Sequence, residues 1–152
     1  MKLAEALLLR SDYQVKVEQL KNRLIQNVRV QEGDNPIEEP NAIIEELSEL
    51  LGKLERLIQN INKTNIQTRF DRKQSLADAL TSRDLLGQER KIYNELLKEA
   101  TMRHDRYSRS EIKYVMTMDV KKIQSYIDEL SQKYRLLDVK IQELNWSTEL
   151  QE

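Results

Sequence analysis

Residues 120–144 read VKKIQSYIDELSQKYRLLDVKIQEL. Within them Val120, Ile123, Ile127, Leu130, Tyr134, Leu137, Ile141 and Leu144 recur at alternating steps of three and four. That spacing draws one apolar stripe along an α-helix, whereas a half-buried strand needs strict alternation. Asp119 stands in front of the stripe as an N-cap acceptor, and the segment is expected to span 119–147.

Three more segments of the same kind lie upstream. One, expected over 75–103, opens with Ser75 and an acid, Asp78, three positions on. It carries Leu76, Ala79, Arg83, Leu86, Arg90, Tyr93, Leu97 and Ala100 on its seam. Another, over 40–66, carries Ile43, Leu47, Leu50, Leu54, Leu57 and Ile61; Ile44, Leu51 and Ile58 form a second stripe that widens this face, as a bundle interior requires. The first, over 2–31, carries Leu3, Ala6, Arg10, Tyr13, Val17, Leu20, Leu24 and Asn27. It is closed by Glu32-Gly33-Asp34-Asn35-Pro36, where Gly33 can adopt a left-handed cap and Pro36 cannot continue a helix.

Each segment makes about 40 Å of helix. The expected fold is therefore all-α, a single domain over 1–152 built of long antiparallel helices. They form either a four-helix bundle or coiled-coil-like hairpins that complete their core with other subunits. Periodicity alone leaves both open, because a seam within a chain and a seam between chains have the same spacing. Composition agrees with the class. The 152 residues hold only 3 Gly and 2 Pro, too few for the turns of a many-stranded fold, and 22 Leu, 12 Ile and 7 Val, too many for a disordered chain.

The chain resembles the septicolysin-like family of small bacterial helical proteins. The resemblance rests on Met1-Lys2-Leu3-Ala4-Glu5-Ala6-Leu7, Arg29-Val30-Gln31-Glu32-Gly33-Asp34, Asn60-Ile61-Asn62-Lys63-Thr64-Asn65, Asp105-Arg106-Tyr107-Ser108-Arg109-Ser110-Glu111-Ile112 and Ile141-Gln142-Glu143-Leu144-Asn145-Trp146. It implies a helical bacterial protein, and the family's name implies membrane-active, cytolysin-like behaviour. It brings no catalytic or binding residues with it.

Chemistry-bearing residues are sparse. There is no Cys and a single His, His104, so no thiol nucleophile and no His/Cys metal set can be assembled. The glycines are isolated and make no phosphate loop. Neither an enzyme nor a cofactor is expected. Asn62-Lys63-Thr64 and Asn145-Trp146-Ser147 match glycosylation sequons, which carry no meaning without secretion. The N-terminal apolar stretch is interrupted by Glu5 and ended by Arg10, short of a signal peptide, so the expected compartment is the cytoplasm. Trp146 is expected to pack the end of the last helix against a neighbour.

Two clusters remain. Arg10, Arg83 and Arg90 occupy seam positions, and an unpaired buried guanidinium costs several kcal/mol. Arg10 and Arg83 lie at similar depth in their helices, and Asp138 and residues 59–62 fall near that level. A buried polar layer of Arg10, Arg83, Arg90 and Asp138 would set helix register or, alternatively, hold an anion or small ligand between helices. The second cluster is a candidate interaction loop with Arg103, Arg106, Tyr107, Arg109 and Lys113, residue types that hold phosphate and stack on bases. RNA or a phosphate ligand is the corresponding alternative.

Charge is balanced overall, 25 Lys and Arg against 26 Asp and Glu, which argues against nucleic acid or a membrane as the main partner. Along the chain it alternates: +3 to Gln31, −6 over 32–62, +4 over 63–114 and −2 beyond. Oppositely charged neighbours are favoured by this pattern. The functional expectation is a non-enzymatic, self-associating homo-oligomer that acts through protein surfaces, any further protein partner being unknown.

Overall fold

The computed structural model describes residues 1–102 and 112–152. Four helices account for most of them: α1 (Leu3–Asn27), α2 (Pro40–Gln67), α3 (Leu76–Thr101) and α4 (Val120–Ser147). The protein is all-α; the described residues outside the helices contribute only two isolated backbone bridges, Lys2 with Glu149 and Arg69 with Ser75. The chain divides into two compact units, one of residues 1–77 with 142–152, the other of residues 78–141.

The first unit is built on α1 and α2. They run antiparallel, since Arg23 near the end of α1 pairs with Glu46 near the start of α2. Their shared core holds Leu3, Ala6, Leu20, Ile43, Leu57 and Ile61, seam residues of both helices. Pro40 sits at the first position of α2, where a missing N–H costs nothing. Beyond α2 a tight turn, held by Asp71 accepting from the N–H groups of Lys73 and Gln74 at 2.7 and 2.8 Å, returns the chain to Leu76, whose N–H bonds Thr68 O at 2.8 Å. The two chain ends meet in this unit. Leu3 N–H donates to Thr148 O at 2.9 Å, and Leu150 N–H donates to Met1 O at 2.8 Å.

Helix α1 stops at Asn27, short of Gln31, for a non-local reason. Asn27 is buried; its Nδ2 donates to Arg23 O at 2.8 Å and its Oδ1 accepts from Glu38 N–H at 2.9 Å. Arg23 also grips the Glu38 carboxylate, Nη2 to Oε1 at 2.5 Å and Nε to Oε2 at 3.0 Å. The connection is thereby folded back along the last turn of α1. Gly33 takes φ 90° within it, a left-handed conformation that favours glycine.

In the second unit α3 and α4 form an antiparallel hairpin. Asp119 caps α4, its Oδ1 accepting from Lys121 N–H at 2.9 Å. Thr101 closes α3 by donating to Leu97 O at 2.9 Å. Ile123, Ile127, Leu130 and Ile141 are buried along α4, and Ala79 along α3. The rest of the α3 seam, from Arg83 to Ala100, is only half-buried.

Two acid–base clasps make the first unit sensitive to acid. Hydrogen bonding from Arg23 holds Glu38 below the ordinary carboxylate value of 4.5, with Arg23's charge adding to it against the opposing effect of burial. Glu149 is held down in the same way, first by Lys2, whose Nζ lies 2.6 Å from Oε1. A carboxylate with a depressed folded pKa stabilises the fold fully above its unfolded pKa and ceases to as pH falls through the folded one. Melting temperature is therefore expected to fall as pH drops below 4.5. Glu38→Gln/Glu149→Gln should lose part of that dependence, as thermal melts between about pH 6 and about pH 3 will show.

Candidate functional site

Arg83, Arg90 and Asp138 lie in the second unit, between α3 and α4. Arg83, whose side chain is 21% exposed, donates from Nη1 to Asp138 Oδ1 at 2.8 Å. Its Nη2 and Nε both reach Asp84 Oδ1, at 3.1 and 3.3 Å. Burial alone would pull the Arg83 pKa down; the hydrogen bonds to Asp138 and Asp84 outweigh it and raise the pKa above the ordinary arginine value. About two turns further along α3, Arg90 stacks over the Tyr134 ring, 4.8 Å from its centre. Gly87 makes room for that ring: a Cβ built there would stand 3.2 Å from Tyr134 Cε2.

Next along the hairpin, Tyr93 and Tyr126 meet edge to face with centroids 4.7 Å apart. Tyr126 Oη donates to Glu89 Oε1 at 2.8 Å. That hydrogen bond, then burial and the Glu89 charge, raise the tyrosine pKa. The result is a ladder of side chains, Arg83–Asp138, Arg90–Tyr134 and Glu89–Tyr126–Tyr93, where a purely apolar seam would otherwise run. Its physical effect is to pin α3 against α4. A guanidinium already facing two carboxylates has no charge to spare for an anion.

The other sequence-derived candidates fall elsewhere. Arg10 lies on α1, in the first unit; its Nε is enclosed and has no hydrogen-bond partner among the described residues. Of residues 59–62, Gln59 bonds Glu55 on its own helix at 3.3 Å, and Asn60 O accepts from Thr64 Oγ1 at 2.7 Å. Arg103, Arg106, Tyr107 and Arg109 lie outside the described residues, as does His104; Lys113 is exposed. Within the net-acidic segment 32–62, Glu38 and Glu46 pair with Arg23 of α1 at the surface. Trp146 is 57% exposed rather than packed.

A cleft of about 560 Å³ opens where the hairpin meets residues 114–118, lined in part by Leu96, Glu99, Met102, Tyr114, Met116 and Met118. Sequence reading missed it, although Met102, Met116 and Met118 are three of the chain's four methionines. It missed Thr64 as well, whose sequon-like setting hides a wholly buried hydroxyl. Among the described residues no group of three His, Asp or Glu side chains is placed to hold a metal ion. None of the described helices is long and apolar enough to cross a membrane.

A family model described as a family of unknown function (DUF6847) matches residues 10–150. A crystal structure of a functionally unknown conserved protein from Corynebacterium diphtheriae is similar over 99% of both chains, with 48% identity and a TM-score of 0.92. No curated protein matches. These findings overturn the septicolysin-like resemblance: four of the five stretches quoted for it fall within residues 10–150, and neither match carries that description. The cytolysin-like expectation loses its basis with it. With the model spanning nearly the whole chain and a solved relative almost half identical throughout, the protein belongs to the DUF6847 family of unknown function.

Proposed function

We propose that the protein is a non-enzymatic helical bundle protein that self-associates and acts through helix faces. One observation carries the reading. Its helices bear apolar stripes that the described residues leave uncovered: Leu8 and Val15 on α1, Ile44 and Leu51 on α2, Leu85, Ile92 and Leu96 on α3, Leu136 and Val139 on α4. Scattered exposed aliphatics are ordinary on soluble proteins, but stripes aligned along helices are the mark of an interaction surface. Ile44 and Leu51 are nearly half exposed, and Leu85 is 59% exposed. On a helix, steps of three, four or seven keep such residues on one face, where a second helix can cover them.

The α3–α4 ladder supports the same reading. Its charged groups satisfy one another, so what the hairpin offers outward is shape and apolar surface rather than a reactive group. Light scattering on a sizing column tests the proposal. The expected mass is a multiple of the 18.1 kDa chain. A single 18.1 kDa species at about 100 μM, where even a weak homodimer would form, would overturn it.

A further inference from the structure

We infer that the turn between α2 and α3 binds a terminal phosphate, the monoester end of a small ligand. Charge is one-sided in this part of the chain. Over residues 56–77, Arg56, Lys63, Arg69, Arg72 and Lys73 stand against a single acid, Asp71. Arg69, Arg72 and Lys73 are on the turn itself and are exposed. They line a cleft of about 220 Å³, with Gln67, Asp71 and Gln74 among its other walls.

The turn has a fixed backbone. Phe70 and Asp71 N–H both donate to Gln74 O, at 2.9 and 3.2 Å, and Leu76 N–H donates to Thr68 O at 2.8 Å. A bridge joins Arg69 to Ser75. The chain that carries the three cations is thus set before a ligand arrives, which removes part of the ordering cost of binding. The acid in the cleft is engaged by the turn: Asp71 Oδ1 accepts from Lys73 and Gln74 N–H at 2.7 and 2.8 Å. Among the described residues, none of the three cations forms an ion pair. Three cations less one carboxylate leave the cleft a net charge of +2.

Size and charge select the ligand. Pockets for whole drug-sized molecules begin at about 300 Å³, so this cleft suits an end group. A phosphate monoester carries about −1.5 to −2 at neutral pH, close to the charge it would meet here. Its three free oxygens suit the planar forks of Arg69 and Arg72 and the point charge of Lys73. A carboxylate brings a single charge. A phosphodiester, as in a nucleic-acid backbone, also brings one charge per phosphate and leaves half of the cleft's charge unmet.

The test is an amide NMR titration of the full chain, with chloride holding the ionic strength constant. Inorganic phosphate and phenyl phosphate are expected to shift the amides of residues 67–75 saturably at millimolar concentration. Dimethyl phosphate, a monoanionic diester, is expected to bind about tenfold more weakly. Arg69→Gln/Arg72→Gln should weaken phosphate binding by about tenfold or more, with helical circular dichroism and melting unchanged, because both side chains are exposed. Lys91→Gln/Lys98→Gln, which removes two exposed bases of α3, should leave binding as it is. Lowering the pH from about 7.5 to about 5 should also weaken it, since the ligand loses its second charge near pH 6 while arginine and lysine keep theirs. Equal affinity for dimethyl phosphate would overturn the monoester assignment and point to a nucleic-acid backbone. No shift at about 20 mM phosphate, a concentration that would reveal even a millimolar site, would overturn the site, as would shifts spread evenly over the bases of other helices.

Discussion

Leu76→Ala is expected to lower the unfolding free energy by about 2–5 kcal/mol and the melting temperature by roughly 5–15 °C. Leu76 is wholly buried in the first unit. It is also held at both ends of a short path: its N–H bonds Thr68 O, and the Arg69–Ser75 bridge closes the turn before it. A site so tied cannot collapse around the missing carbons, which places the cost toward the upper part of the range seen for such truncations. Leu85→Ala is the control. Leu85 is of the same type, also on α3, but 59% exposed, and its loss is expected to change stability by less than about 0.5 kcal/mol. Chemical denaturation of the two variants checks the contrast. A small loss at Leu76 would mean that the first unit's core is far looser than its burial implies.

The fold class was legible because alternating steps of three and four admit one secondary structure. Val120 to Leu144 alone establish a helix, and the near absence of Gly and Pro removes the alternatives. What periodicity does not carry is which of two seams is covered. On α2 Leu47 and Leu54 serve both, and the reading of Ile44, Leu51 and Ile58 as a widened interior face fails in the structure, where Ile44 and Leu51 are exposed. The end of α1 was illegible for another reason. Nothing local stops the helix at Asn27; the stop comes from Glu38, eleven residues on, bonding back to the Asn27 amide.

The candidate site was legible to the same depth. Height along a helix can be counted, and Arg83 and Asp138 share a height in an antiparallel hairpin, where they meet at 2.8 Å. Whether Arg10 joins them is a question of helix order in space, which heights do not contain. Glu89, Tyr126 and Gly87 could not be read at all. Their roles depend on one ring filling the gap left by one missing Cβ and on one hydroxyl reaching one carboxylate, and each alternative rotamer would leave the sequence pattern unchanged.

Thr64→Val is expected to destabilise the protein by about 1–3 kcal/mol, although it removes no volume. Thr64 is wholly buried. Its hydroxyl donates to Asn60 O at 2.7 Å and accepts from Gln151 N–H at 2.9 Å. The first bond is dispensable, since a helical carbonyl such as Asn60 O is ordinarily met by the N–H four residues on. The second is the hydroxyl's particular work: Gln151 lies eighty-seven residues away, and valine would face its partly buried N–H with a methyl group. An unsatisfied donor of that kind carries the full cost of its desolvation. Serine separates the two contributions. Thr64→Ser keeps the acceptor and loses one methyl, about 1 kcal/mol of buried hydrocarbon. The discriminating measurement is hydrogen exchange at the Gln151 amide. Protection should collapse in the valine variant and persist in the serine variant, because only the first removes its acceptor. Equal protection in both would place the anchoring of the chain end elsewhere, in the Leu3–Thr148 and Met1–Leu150 backbone bonds.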